Sequence, residues 1–227
     1  MKKIFLLIVA LIVSSISMAQ SKIQSEVPTF GALRVEGNIE LTLEKSDASS
    51  FVASVEGVES DKFEWSVKNG ELLFKLRQPL SFAKKDAAKV KITLKYKSLE
   101  IINVAGATIL ASGIIKEPIL DFSLDSKAVV AVEVDSKDLR IKASNSTATF
   151  TGTSEYVTVK ASGAASVNTV AMTVDVATVA TQTNAECYVT ASKKLDLRAV
   201  TNSNIFYKGV PEILNKSAAT LGKVEGF

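Results

Sequence analysis

The chain has no histidine and one cysteine in 227 residues, and these scarcities remove much of enzyme chemistry. Without histidine there is no Ser-His-acid or Cys-His nucleophile system, and the commonest general base and metal ligand are both missing. A lone Cys187 forbids an intramolecular disulfide, so stability must rest on burial and hydrogen bonding. Neither common glycine-rich phosphate loop is present. No catalytic residue, cofactor site or metal site is therefore assigned. An excess of one charge is lacking too, with 27 basic residues against 24 acidic ones. Such a balance supplies no basic face of the kind nucleic acid requires, so no nucleic-acid partner is expected.

Long apolar runs are scarce as well, apart from one at the N-terminus. Lys2 and Lys3 precede "IFLLIVALIV" (4–13), and Ser17-Met18-Ala19 offers small residues where a signal peptidase reads. This reads as a signal peptide over 1–19, cut before Gln20. The apolar run is shorter than the ~20 residues a spanning helix needs. No cysteine directly follows the cut, which argues against a lipid anchor. Removing 19 of the 227 residues, with two of the 27 basic ones, leaves 208 residues carrying 25 basic and 24 acidic side chains. That length suits one domain or one repeat array. The mature chain is expected in the periplasm, at the cell surface or outside the cell, with no transmembrane segment.

What the chain does have is a repeat. Stretches resembling Ser162-Gly163-Ala164 begin at Ala105, Ser126, Ser144, Ser162, Thr183, Thr201 and Ser217, in steps of 21, 18, 18, 21, 18 and 16 residues. The second column holds Gly106, Lys127, Asn145, Gly163, Asn184, Asn202 and Ala218. Gly and Asn tolerate a left-handed backbone, so this column marks a tight corner. The third column is Ala107, Ala128, Ser146, Ala164, Ala185, Ser203 and Ala219, small at every level. It marks a place where stacked turns approach too closely for larger side chains. Two positions on, the residues are mostly apolar and include Cys187; Ser166 is the misfit, and a slip of one would put Val167 there.

Short alternating strands flank the corners: "LDFSL" (120–124), "LRIK" (139–142), "VTVK" (157–160) and "LDLR" (195–198). Strands repeating at a period near twenty, with no helical pattern, indicate a solenoid. The candidates are a parallel β-helix and a leucine-rich repeat, and the second lacks its asparagine-leucine consensus. A β-sandwich also has many short strands, but it does not explain an Ala/Ser column. Seven rungs of about 18–21 residues would stack to ~34 Å at the usual strand spacing. Residues 98–227 carry the repeats. Residues 20–97 read as a β-rich N-terminal cap and first rungs, continuous with them as one all-β domain. That region has longer strands, an Asn69-Gly70 hairpin signal and a lysine-rich solvated loop, "FAKKDAAK" (82–89).

Several of these residues resemble a known family of exported bacterial proteins, the "putative auto-transporter adhesin, head GIN domain" family. Phe30, Val35, Gly37, Ile39, Leu41 and Leu43 are similar to its opening strands, and Asn69, Gly70 and Leu72 to Leu76 to its next element. "LEIINVAGATILASG" (99–113) then leads into repeated Ser-Gly-Ala-Ser-like units. Lys127 and Ala218 depart from the expected glycine. The resemblance implies a right-handed parallel β-helix and a role at or outside the cell envelope.

The outward positions carry the charged side chains that a site would need. Asp121, Asp175 and Asp196 lie between apolar neighbours, with Arg140 and Thr158 in equivalent places on other rungs and Lys142, Lys160 and Arg198 two residues further along. This alternation reads as a solvated face, not as a facing acid pair of the kind glycoside cleavage needs. Trp65, Phe63 and Phe74 read as core or cap packing. "TATFTGT" (147–153) and "TVATQTN" (178–184) offer a possible hydroxyl face. Three functions follow: a non-enzymatic adhesin or glycan-binding module, a structural envelope protein with a protein partner, and, third, a polysaccharide-active enzyme. The partner is a polysaccharide, a host glycan or an envelope protein.

Overall fold

In a computed structural model, residues 21–57, 59–77 and 88–227 are described. The segment read as a signal peptide (1–19) and most of the lysine-rich loop (82–87) lie outside these residues. The chain is 70% strand and forms a parallel β-solenoid of about seven turns. The alternating segments build it because one side of each strand is apolar and must be covered. Leu120, Leu139, Val157, Ala177 and Leu195 stack in register on one interior wall, each nearly inaccessible to solvent. Ile109, Val130, Ala148, Val167, Cys187 and Ile205 stack on the facing wall.

Each turn therefore contributes to two long faces. The first face runs through Ile101–Ala105, Ile119–Asp125, 138–144, 156–162, 176–182, Lys194–Val200 and Ile213–Ala219. The second runs through Thr108–Ala111, 129–134, 147–152, Ser166–Asn168, Glu186–Thr190, Asn204–Lys208 and Lys223–Gly226. A short third side, at Ile115–Lys116, 134–136, 152–154 and 172–174, carries the chain from the second face to the next turn of the first. Gly152 makes this bend at φ 96°, where an added Cβ would lie 2.1 Å from the Val134 carbonyl oxygen.

The corner between first and second face is where left-handed backbone concentrates. Gly106, Lys127, Asn145, Gly163, Asn184 and Asn202 all have φ between 47° and 69°. Ala107, Ala128, Ser146, Ala185 and Ser203 follow them and are buried. Two positions differ from the sequence reading. Ala164 is exposed, and Ala165 occupies the small buried place because Ser166 pairs with Thr147 and Glu186; this corner holds one residue more than that at Asn145. The seventh corner also lies three residues later than expected. Ala218 and Ala219 are strand residues paired with Ala199 and Val200, and the turn is made by Thr220 and Leu221.

Asparagines link neighbouring corners directly. The Ala164 N–H donates to Asn145 Oδ1 at 3.1 Å, and Asn202 Nδ2 donates to Asn184 Oδ1 at 2.6 Å. A Cβ added at Gly163 would collide with the Asn145 side chain, which would have to swing aside and give up its bond to Ala164.

The N-terminal region holds two more levels, and their order does not follow the chain. Ala32–Glu36 and Ile39–Lys45 pair in parallel with Ile101–Ala105 and Thr108–Ala111 on one side. On the other side they pair with Glu71–Leu76 and Lys89–Tyr96, which come later in sequence but lie further out. Antiparallel strands close this end: Phe63–Lys68 against 71–76, and Ser50–Glu56 against 89–96 with Ser21–Glu26 beyond it. Asn69 and Gly70, both at positive φ, turn the hairpin. Phe51, Phe63, Trp65 and Phe74 pack there with ring centroids 5.0–6.4 Å apart, so these aromatics belong to the core end. At the opposite end Lys216, in register with the buried Leu197, lays its ammonium 5.4 Å from the Tyr207 ring and 3.5 Å from its hydroxyl.

Candidate binding face

Parallel register turns each outward position of the first face into a column. The leading column reads Ile101, Asp121, Arg140, Thr158, Thr178, Asp196 and Asn215. The middle one reads Asn103, Ser123, Lys142, Lys160, Ala180, Arg198 and Ser217. The trailing one is Ala105, Asp125, Ser144, Ser162, Gln182, Val200 and Ala219. Asp175, grouped in sequence with Asp121 and Asp196, is not in the leading column. Thr178 holds that place, and Asp175 sits at the bend, where its carboxylate accepts from Lys193 Nζ at 2.8 Å.

The acids of the leading column are occupied. Asp121 lies 3.7 Å from the Arg140 guanidinium, which also reaches Asp138. Asp196 accepts from Lys194 at 2.9 Å and from the Asn215 amide; the ammonium first and the amide second hold its carboxyl below the usual carboxylate range. Asp121 and Asp196 are four levels apart, ~19 Å at the usual strand spacing. A pair of glycosidase carboxylates stands within roughly 5–10 Å, so these two do not act together on one bond.

The middle column differs. Lys142, Lys160 and Arg198 are exposed and, among the described residues, pair with no carboxylate. Open depressions run along the same face. One of about 450 Å³ reaches from Arg34 to Ser162, and one of about 350 Å³ lies beside it between Ile101 and Lys160. Others of about 270 Å³ and 330 Å³ continue past Gln182 and Asn215. Lys142 and Lys160 line both of the first two, Lys160 and Arg198 line the third, and Arg198 lines the fourth. The three cations thus join four hollows into one track.

The second face has a hollow of about 550 Å³ near Lys22, Glu40 and Lys91. There Glu40 is paired with Lys89 at 2.6 Å, and that hydrogen bond draws its carboxyl below its ordinary range. The threonine-rich segments do not make one surface, because Thr147 and Thr149 project from the second face and Thr178 from the first. Cys187 is wholly buried, and loss of hydration pushes its thiol up to about 12. No cluster of metal-ligating side chains occurs among the described residues.

Fold and face together define a parallel β-solenoid with an open, polar outer track. The chain belongs to the family described as "putative auto-transporter adhesin, head GIN domain", which matches residues 29–211. Among solved structures it is similar to a "putative adhesin" from Bacteroides fragilis, at 17% identity and TM-score 0.78, covering 93% of this chain and 98% of that one. It is also similar to a "putative lipid binding protein" from Parabacteroides distasonis, at 17% identity and TM-score 0.70, covering 92% and 96%. A "putative adhesin" from Parabacteroides merdae matches to the same degree, at 17% identity and TM-score 0.70, covering 92% and 96%. At this identity the likeness concerns the fold. No curated protein matches the chain.

Proposed function

We propose that the protein is an exported, non-enzymatic binding module of the adhesin kind, which holds an extended glycan along the first face at the cell envelope or surface. The observation that carries this reading is the line of four hollows on one face, joined through shared side chains and edged by Ser144, Ser162, Thr158, Thr178 and Gln182. Hydroxyls and amides at successive levels suit a ligand whose own polar groups repeat along its length. Separation of the two leading-column acids, each already partnered, favours retention of the ligand over its cleavage. Export is supported by the basic-apolar-small pattern of residues 2–19.

The test is a polysaccharide and host-glycan array probed with the chain from Gln20 at physiological salt, with bound ligands recovered and sized. Saturable binding to a glycan class, with unchanged ligand length, is expected. A shortened ligand would make the protein an enzyme. A blank array would replace this reading with that of a structural envelope protein, whose partner is another protein.

A further inference from the structure

Resting on that reading, we infer that the glycan is anionic: a polysaccharide bearing carboxylate or sulfate groups, gripped by Lys142, Lys160 and Arg198. The first reason is energetic. Lys142 and Lys160 are in-register neighbours on adjacent parallel strands. Side chains so placed start about 5 Å apart, and like charges directly opposite one another in a sheet oppose its formation. Several other surface cations of the solenoid have an adjacent acid, as at Lys116 with Asp135, Lys193 with Asp175 and Lys194 with Asp196. Lys208 and Lys223, which have none among the described residues, stand in register with uncharged Thr190 and Asn204. The middle column has no such acid between Lys142 and Arg198, although the residues there lie on strands free to carry one. An anion delivered from solution satisfies all three.

The second reason is geometric. Lys160 lies one level from Lys142 and two levels from Arg198, so the three charges follow the solenoid axis over ~14 Å. They are members of the hollows themselves and do not stand on the rim of a single pocket. A small anion fills one such place, whereas a linear polyanion with charges repeating along its length meets all of them. The flanking columns offer Ser144, Ser162, Thr158 and Thr178, groups that suit sugar hydroxyls. A bilayer surface fits less well, because three cations alone hold only weakly to an anionic leaflet, and the middle column adds no large apolar side chain that could enter the lipid.

Binding of the chain from Gln20 to immobilised polygalacturonate, heparin and uncharged dextran would be compared by interferometry at low and physiological salt. Anionic phosphatidylglycerol vesicles serve as a fourth probe. The wild type is expected to bind one of the two charged polysaccharides, weakening as salt screens the contact, and to leave dextran unbound. The triple variant K142Q/K160Q/R198Q is expected to lose at least tenfold in affinity. The double variant K116Q/K193Q, altered at acid-paired lysines elsewhere, is expected to bind as the wild type does. All three proteins should share one thermal midpoint within a few degrees, since every changed side chain is exposed. Equal binding of dextran, or charged-glycan binding unchanged in the triple variant, overturns the anionic inference and leaves the glycan reading standing. Failure to bind any polysaccharide, including those of the array, overturns both. Binding to the vesicles alone assigns the track to lipid headgroups and overturns the glycan.

Discussion

Gly152 sits where the second face bends into the short third side, and replacing it by alanine tests the stacking geometry at one atom. Two costs combine. The backbone there has φ 96°, and holding an L-residue on the left-handed side costs about 1–2 kcal/mol. The new Cβ would also lie 2.1 Å from Val134 O and 3.1 Å from Val134 C and N, all backbone atoms of the adjoining level. That contact cannot be relieved by turning a side chain; the two strands must separate, at the roughly 1–3 kcal/mol typical of overpacking. Gly152→Ala should therefore lose about 2–5 kcal/mol. Gly113→Ala is the control, because a Cβ there meets nothing within 4 Å and an alanine without strain stabilises by ~0.4–1 kcal/mol through the unfolded chain. Urea unfolding followed by far-ultraviolet circular dichroism reads both, and amide exchange at 134, 152 and 172 should speed up in the first variant. An unchanged urea midpoint for Gly152→Ala would refute the close approach of the two levels.

Other perturbations follow from single buried groups. Ser146 Oγ is buried with no hydrogen-bond partner among the described residues, in a column otherwise filled mainly by alanine, so Ser146→Ala should raise stability by about 1 kcal/mol, measured as a higher urea midpoint; a loss of stability would mean the hydroxyl is satisfied. Cys187 should resist iodoacetamide at pH 8 in the native protein and label fully in guanidinium, as mass spectrometry would show, because its thiol is pushed up to about 12 by burial. Tyr96 is likewise raised to about 12, first by burial and then by the charge of Glu117. Both groups stay protonated longer when folded than when unfolded, where they titrate near 9.0 and 10.0. Their contribution is thus full below pH 9 and is lost as pH rises from there towards 12. Thermal midpoints should fall over that window and not rise.

Much of the solenoid was legible because its corners need a particular backbone. Gly and Asn at 106, 145, 163, 184 and 202 announced the left-handed turns, and Lys127 fell in column by spacing alone. Spacing failed where a corner gained a residue, as at Ala164, and where chemistry misled. Ser217-Ala218-Ala219 imitates a corner, while the real one uses Thr220 and Leu221, neither of which advertises positive φ. The candidate track was half visible. Lys142, Lys160 and Arg198 stood out as a recurring position, but the charge alternation belongs to the neighbouring column of Asp121, Arg140 and Asp196. Only the register of every strand separates the two. The out-of-order N-terminal levels were hidden altogether, because the pairing of 32–36 with both 71–76 and 101–105 joins segments that share no local signal.

That interleaving gives the molecule unequal ends under tension. From the C-terminal side each turn is held by one neighbour already laid down, so a pull there can strip turns singly, like thread from a spool. From the N-terminal side a pull first frees the edge strand 21–26 and then meets 32–36, clamped on both flanks by strands that come later in the chain. Two ladders must give way together before anything more is released. A tether on that side would hold under a load that unravels the other, and the direction of force would decide which part of the protein yields.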